Sequence, residues 1–335
     1  MRKRTLLFRV DASDSIGIGH LRECIWFAEQ VPVHAHFCIL QHSYSIALVQ
    51  EHGFAVTAIP QEERGTTKEI RKINGLIDRL QPDVLVIDLL DVDQRYLDAL
   101  DSKGRCLAVL NAIRHPIKAD VQATTVCTPH RKNRQYSGPE YIFLREKFSR
   151  ERPHPARPAV QNILVMFGSA DNGNLTLKTL KALSRIQGNF HTTIVLGGAC
   201  RHRREIEEYL RTYSPSHRLM INISREEQMI RIMRKADLAI VSGGYTIAEL
   251  MHLGIPCIAL SQNRTEETNV FKNFPQDALV NLGRGMRVSQ RTLLHAIRRL
   301  MKNGTARRRL GKRGASVVDG KGIERFYKIL GQYIL

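Results

Sequence analysis

The sequence has no stretch approaching the roughly 18 consecutive apolar residues that a membrane-crossing helix needs, so no such helix is expected. Its basic start, Met1-Arg2-Lys3-Arg4, runs into a short strand-like segment without a secretory apolar region or cleavage site. That pattern reads as a cytoplasmic chain. Six cysteines (Cys24, Cys38, Cys106, Cys127, Cys200 and Cys257) are scattered without a CxxC pair, and thirteen histidines show no HExxH or zinc-finger spacing. Buried reduced thiols are therefore expected, and neither a metal nor an organic cofactor. Aromatic residues are only 6% of the chain and no RNA- or DNA-binding signature is present, so no base-stacking platform and no nucleic-acid partner are expected.

Negative charge is also scarce. The chain sets 32 Asp and Glu against 51 Lys and Arg, a formal net charge of +19. Positive clusters lie at Arg201-His202-Arg203-Arg204, at Arg298 to Lys302, and at Arg307 to Arg313. Nucleic acid, an anionic membrane surface or an anionic substrate would each account for them, and charge alone does not choose.

With 335 residues, 43% hydrophobic and 25% charged, the chain is expected to form two globular domains. Its first half alternates apolar runs (Leu6 to Val10, His36 to Leu40, Ala55 to Ile59, Val84 to Asp88, Cys106 to Leu110) with helix-like segments. These segments are His20 to Gln30, Ser43 to Glu51, Thr67 to Leu80 and Gln94 to Ser102. Short Val-, Ile- and Leu-rich strands spaced by helices predict a parallel sheet. The proline- and arginine-rich stretch 150–158 reads as a linker. Alternation then restarts, with strands at Asn162 to Phe167, Thr192 to Leu196, Leu219 to Ile223, Ala239 to Val241 and Cys257 to Leu260. Helices are expected at Leu175 to Arg185 and Arg203 to Tyr213. The expected architecture is α/β, two doubly wound Rossmann-like domains facing across a cleft. They are residues 1–149 and 159–335. The last helix is a candidate for packing back on the first domain.

The segment Ile16-Gly17-Ile18-Gly19-His20 joins a strand to a helix. Glycines admit close backbone approach, and a helix N-terminus offers unpaired N–H groups to an anion. His20 adds a titratable group, and the positive dipole end is expected to favour its neutral form, as a general base requires. Asp88 ends an apolar strand and either orients a histidine, binds substrate or caps a helix. In the second half, Ser242-Gly243-Gly244 followed by Glu249 can donate N–H groups to a diphosphate and accept from a ribose diol; the bland alternative is a tight turn with a surface glutamate. The polar run Ser261 to Asn269 supplies Gln262, Asn263, Glu266, Glu267 and Asn269 for sugar hydroxyls, or is an exposed loop before a helix cap. Gly168-Ser169-Ala170-Asp171 and Gly197-Gly198 are further turns after strands, functional or simply structural.

The series Arg9-Val10-Asp11-Ala12-Ser13, Gly17-Ile18-Gly19-His20-Leu21-Arg22, Tyr141 to Phe148, Phe167 to Asp171 with Asn174-Leu175-Thr176, Ser242-Gly243-Gly244 with Glu249, and Asp319 to Arg325 resembles a family of glycosyltransferase-B-like (GT-B) proteins. Its members include the UDP-sugar hydrolase of pseudaminic acid synthesis and the spore-coat polysaccharide glycosyltransferase-like proteins. The second half also resembles the lipid-linked peptidoglycan transferase that uses UDP-N-acetylglucosamine. The resemblance implies a UDP-sugar held mainly by the second domain, with Glu249 on the ribose and the glycine turns on the diphosphate. It also implies a catalytic role for His20 near the anomeric carbon, with inversion and without a metal. The sequence departs from the hydrolase pattern at Asp88-Leu89-Leu90 and Leu110-Asn111-Ala112, where that enzyme carries Asp-His-Tyr and a Phe-Asp-Asp-like turn.

The resulting expectation is a transferase that uses a UDP-sugar in bacterial surface or spore-coat polysaccharide biosynthesis. Its acceptor is a glycan or a lipid-linked molecule, and an anionic membrane is a candidate peripheral contact. The alternatives are a UDP-sugar hydrolase of a nonulosonic-acid-type pathway and a non-catalytic nucleotide-sugar-binding protein. His20 and Asp88 are the expected catalytic pair. Expected substrate contacts are Gly17, Gly19, Arg22, Gly168, Ser169, Asp171, Gly197, Ser242, Gly243, Gly244, Glu249, Asn263, Glu266 and Asn269.

Overall fold

The computed structural model describes residues 3–13, 17–89, 91–102, 104–111, 117–125, 134–213 and 215–333. Ile16, Leu90, Ala112 and Cys127 therefore lie outside the described residues. The chain divides into two compact units, Met1–Glu146 with Lys321–Leu335, and Lys147–Gly320.

The first unit carries β1 (Arg4–Val10), α1 (Gly19–Gln30), β2 (Val33–Leu40), α2 (Ser43–Glu51), β3 (Ala55–Ile59), α3 (Thr67–Leu80), β4 (Val84–Asp88), α4 (Gln94–Asp98), β5 (Cys106–Leu110), β6 (Val121–Thr124) and β7 (Gln135–Ser137). A short helix α5 (Glu146–Ser149) spans its boundary with the second unit. The seven strands form one sheet in the order β3-β2-β1-β4-β5-β6-β7, every neighbouring pair parallel. The order runs outward in both directions from the β1/β4 pair, which makes that pair the point of strand reversal. Side chains alternate between the faces. Leu6, Phe8, Val10, Val84 and Val86 join the core covered by α1 and α2, whereas Leu7, Leu85 and Ile87 join the core under α3.

Helix α1 follows from apolar residues at Leu21, Cys24, Ile25 and Ala28, a stripe of helical period, and it stops just before Pro32. Helix α3 starts at Thr66, whose hydroxyl accepts from the Lys68 N–H, and ends at Gln81 in the left-handed region before Pro82.

The second unit carries β8 (Asn162–Met166), α6 (Leu175–Leu183), β9 (His191–Leu196), α7 (Arg203–Leu210), β10 (Ser216–Ile221), α8 (Glu226–Lys235), β11 (Leu238–Val241), α9 (Thr246–His252), β12 (Cys257–Ser261), α10 (Arg264–Asn273), β13 (Val280–Arg284), α11 (Gln290–Lys302) and α12 (Gly304–Val317). Its six parallel strands run β10-β9-β8-β11-β12-β13, again reversing direction, here at β8/β11. The polar run from Ser261 to Asn269 is not a loop. Asn263 accepts from the Glu266 N–H and so caps α10, which takes up Arg264 onward.

The last helix, α13 (Gly322–Gly331), belongs to the first unit. Its Phe326 ring lies 5.2 Å from Phe27 of α1 and 5.6 Å from Phe143. Residues 150–158 have no regular element, as their prolines require, but they are tied to the second unit. The buried Arg307 guanidinium donates to the Arg157 and Pro158 carbonyls and to those of Leu300 and Met301. The His252 ring meets the Glu151 carbonyl at 3.1 Å and the Val318 carbonyl at 3.2 Å, pinning both chain segments that lead to the first unit.

Helix α12 packs on α9 and on the turn that follows it at a distance only glycine permits. A Cβ on Gly311 would sit 2.3 Å from the Gly254 carbonyl oxygen. Backbone cannot give way as a flexible side chain can. Gly311→Ala is therefore expected to lower stability by roughly 1–3 kcal/mol, read from urea unfolding; an unchanged midpoint would contradict this packing.

Candidate active site

Asp88 ends β4 and pairs in register with Val10, at the end of β1. Alternation along β4 turns it to the face of Val84 and Val86, the face that α1 covers. His20 and Cys24 stand one turn apart on α1 and both meet this carboxylate. His20 Nδ1 is 2.8 Å from Asp88 Oδ1, and the Cys24 thiol is 3.8 Å from Oδ2. Asn111, in the left-handed region just past β5, places its amide nitrogen 3.4 Å from both carboxylate oxygens. The two expected catalytic residues are thus brought together.

A carboxylate only accepts, so His20 Nδ1–H donates to Asp88. This leaves Nε2 as the free ring position, with no hydrogen-bond partner among the described residues. The imidazole is 30% exposed and its aspartate 1%, so the pair is anchored at one end and reachable at the other.

The expectation of a neutral imidazole, drawn from the helix dipole, is corrected by this contact. Asp88's charge raises the His20 pKa from 6.5 to about 9; burial opposes this, while the hydrogen bond to Asp88 and the charge of Glu23 add to it. A shift of that size corresponds to about 3 kcal/mol, against about 0.3–1 kcal/mol for a charge at a helix terminus. The nearby carboxylate wins. Glu23, one turn after His20, is pushed up to about 7 by burial, with His20 opposing and Asp88 adding. Burial first, and then the charges of Asp88 and Glu23, hold the Cys24 thiol protonated.

The approach to α1 is fixed locally. Ser13 and Gly17 form an isolated antiparallel bridge, with the Gly17 N–H on the Ser13 carbonyl at 2.8 Å. Gly17 has φ +84°, and no atom lies within 4 Å of where a Cβ would stand on Gly17 or Gly19. Arg22 is exposed, 3.4 Å from the Tyr44 hydroxyl.

In the second unit, Val241 pairs with Met166, so the turns after β8 and β11 emerge side by side. The turn after β9 joins them. A Cβ on Gly197 would lie 2.2 Å from Ser169 Cα, and the Ala199 N–H donates to the Ser169 carbonyl at 3.1 Å. Gly168, with φ +70°, packs toward Gln262 and Ser242. The N–H groups of Gly168, Ser169 and Gly244 donate to no partner among the described residues, and none of these three residues is buried. This arrangement suits an anion.

Other expected contacts already serve the fold. Asp171 accepts from the Leu175 and Thr176 N–H groups at 2.8 and 3.0 Å, which caps α6. Glu266 accepts from the N–H groups of Gly243, at 3.1 Å, and Gln262, at 2.8 Å, so the Gly243 donor expected to face a diphosphate is engaged. The Gln262 amide clasps the Phe167 carbonyl and the Asn172 N–H. Ser242 is buried and Glu249 is only 6% exposed on α9, while Asn269 is exposed on α10. Among the described residues no group of three or more His, Cys, Asp or Glu could hold a metal ion, and no helix is long and apolar enough to cross a membrane.

The sequence reading did not single out Asn111, Glu23 or Cys24 as site residues. A helical wheel through His20 gives the latter two, at i+3 and i+4. Asn111 stands in one of the segments that depart from the hydrolase pattern, and its place beside Asp88 follows from the pairing of β4 with β5.

Two parallel sheets of seven and six strands, with helices between their strands, define the GT-B glycosyltransferase fold. MurG of Acinetobacter baumannii matches it with a TM-score of 0.74 at 12% identity, over 98% of this chain and 99% of that one. Anabaena Alr3699/HepE in complex with UDP matches with a TM-score of 0.62 at 12% identity, over 98% and 100%. No protein-family model matches the chain.

In sequence, the chain is 30% identical over 231 residues to the spore coat polysaccharide biosynthesis protein SpsG of Bacillus subtilis (strain 168). It is 31% identical over 162 residues to the uncharacterized protein MJ1062 of Methanocaldococcus jannaschii. The matches take in 68% and 44% of this chain, and they span 66% and 33% of the lengths of those relatives. The chain is a homologue of SpsG and belongs with it among the GT-B-like proteins that its motif series resembles.

His20 and Asp88 yield a prediction with a definite sign. A histidine pKa raised on folding stabilises the fold fully below pH 6.5, and that contribution is lost as pH rises through about 9. In Asp88→Asn, the His20 titration followed by NMR is expected to fall from about 9 toward or below 6.5. A titration that stays put would contradict the assigned cause.

Proposed function

We propose that this chain is an inverting, metal-independent glycosyltransferase that moves a sugar from a UDP-sugar to a hydroxyl of a glycan or lipid-linked acceptor in polysaccharide biosynthesis. The observation that carries the reading is the His20–Asp88 pair, 2.8 Å apart at the strand reversal of the first sheet. The names of the SpsG relative and the UDP-bound neighbour support the pathway and the nucleotide.

In this reading the acceptor oxygen attacks the anomeric carbon as the bond from that carbon to the diphosphate breaks. The acceptor proton passes to His20 Nε2 while Nδ1–H stays on Asp88, which stabilises the imidazolium that forms. UDP departs with the bonding pair. The N–H groups of Gly168, Ser169 and Gly244 receive the growing diphosphate charge, and Glu249 is the residue that the resemblance puts on the ribose. Gly17, Gly19 and Arg22 border the base, and Asn269 is the sugar contact left open on α10.

The base must be neutral to accept a proton, and with a pKa of about 9 roughly one molecule in a hundred is ready at pH 7. The kcat/KM is therefore expected to climb with pH up to about 9. Asp88→Asn is expected to move that limb to lower pH and lower its plateau; a flat profile would remove His20 as the base.

The direct test incubates the protein with a panel of UDP-sugars, with and without glycan or lipid acceptors, and follows UDP release. Release that needs an acceptor, survives EDTA and falls at least about 100-fold in His20→Ala is expected. Rapid release without acceptor assigns water as the acceptor, hence a hydrolase, because Nε2 serves water equally well. Binding of UDP-sugar without release under any condition assigns a non-catalytic protein. Gly197→Ala, which forces the Ser169 turn aside, is expected to weaken UDP binding at least tenfold, about 1.4 kcal/mol. Unchanged affinity by calorimetry would take the diphosphate away from these turns.

A further inference from the structure

Between Asp277 and Asp319 the chain runs 41 residues without a carboxylate, and 11 of them are Arg or Lys. Residues 278–318 thus supply +11 of the net +19. They build β13, α11 and α12 of the second unit. Three of these cations are buried or ion-paired. Arg307 is buried on carbonyls, Arg284 meets Glu267 and Arg313 meets Asp277. Six others, Arg298, Arg299, Lys302, Arg308, Arg309 and Lys312, are exposed and form no ion pair among the described residues. They lie opposite the buried residues Leu293, Ala296, Ile297 and Leu300 of α11 and Leu310, Gly311, Gly314 and Val317 of α12.

Arg299 and Lys302 lie in the last turn of α11, where the dipole favours cations, but local stability does not account for the cations of α12. The first turn of α12 carries no acidic residue, and Arg307, Arg308 and Arg309 follow it directly, so nothing at that positive dipole end offsets their charge. Arg308 with Lys312, and Arg309 with Arg313, are like-charge neighbours at i, i+4, again unfavourable. Helix α7 shows the ordinary solution in the same unit, with Arg203 on Glu207 and Arg204 on Glu208. An external polyanion makes the α11–α12 arrangement favourable.

Residues 278–318 contain no Phe, Tyr or Trp on which a base could stack. The cations are separate point charges on the solvent faces of two successive helices, which suits separate phosphates. We infer that the solvent face of α11 and α12 docks on an anionic phospholipid bilayer. The inference stands apart from the sugar chemistry.

The test sediments the full chain with phosphatidylcholine vesicles, with or without phosphatidylglycerol, across a salt series. Binding only to the anionic vesicles, weakening with salt, is expected. At about fivefold per cation, Arg308→Gln with Arg309→Gln is expected to weaken partition about 25-fold. Arg203→Gln with Arg204→Gln removes the same net charge and is expected to change it little. Circular dichroism checks folding of both variants. Equal effects of the two pairs, absence of binding to anionic vesicles, or binding of duplex nucleic acid in place of vesicles would each overturn the inference.

Discussion

Val10 and Asp88 face each other across β1 and β4, at the place where the first sheet reverses its strand order. At such a reversal the loops leaving neighbouring strands diverge to opposite sides, opening a crevice at the strand ends where a ligand can sit. The register does more than open the crevice. It sets Asp88 at the last position of an otherwise apolar strand, on the parity that faces α1, so the carboxylate meets the first turns of that helix. A slip of one residue would turn Asp88 to the opposite face, under α3, and leave His20 without a partner. The second sheet repeats the device at β8/β11, where the glycine turns gather.

Desolvation shapes both ends of the chemistry. Asp88 is almost fully buried and His20 is not, so the pair has a fixed end and a working end. On the opposite face of the same sheet a second polar group sits in the core. Arg9 pairs with Asp11 and with Glu69, the latter at 2.7 Å; Arg64 closes on Asp11 at 2.7 Å, and the Tyr96 hydroxyl donates to Glu69. Two cations balance two anions there, as burial of charge requires. The network holds the chain leaving β1 just before the Ser13–Gly17 bridge that leads into α1.

Much of this fold is legible in the sequence because short Val-, Ile- and Leu-rich runs have few other homes. β1, β4, β5 and β11 show it plainly. β6, β7 and β13 are edge or near-edge strands, short and half polar, such as Gln135-Tyr136-Ser137, and nothing in their pattern separates them from loop. Asn263 misleads for a physical reason: a helix cap and a sugar contact call for the same polar residue types. The basic runs from Arg298 onward read as charge clusters, although Leu293, Ala296, Ile297 and Leu300 carry a clear helical period beneath them. At the site, the residue types of His20 and Asp88 are visible in the sequence, but their contact crosses 68 positions and depends on strand order. The sign of the His20 shift depends on that contact and not on the helix end, which is why a dipole argument alone points the wrong way.

The proposed chemistry depends on which nitrogen of His20 holds its proton once the ring is neutral. Nitrogen-15 NMR of the labelled protein above pH 9 reads this directly. With Nδ1–H held by Asp88, the neutral ring is expected to show a protonated Nδ1 and a bare Nε2, free to accept a proton. A neutral ring protonated at Nε2 would contradict the account, because the exposed nitrogen could then not act as the base.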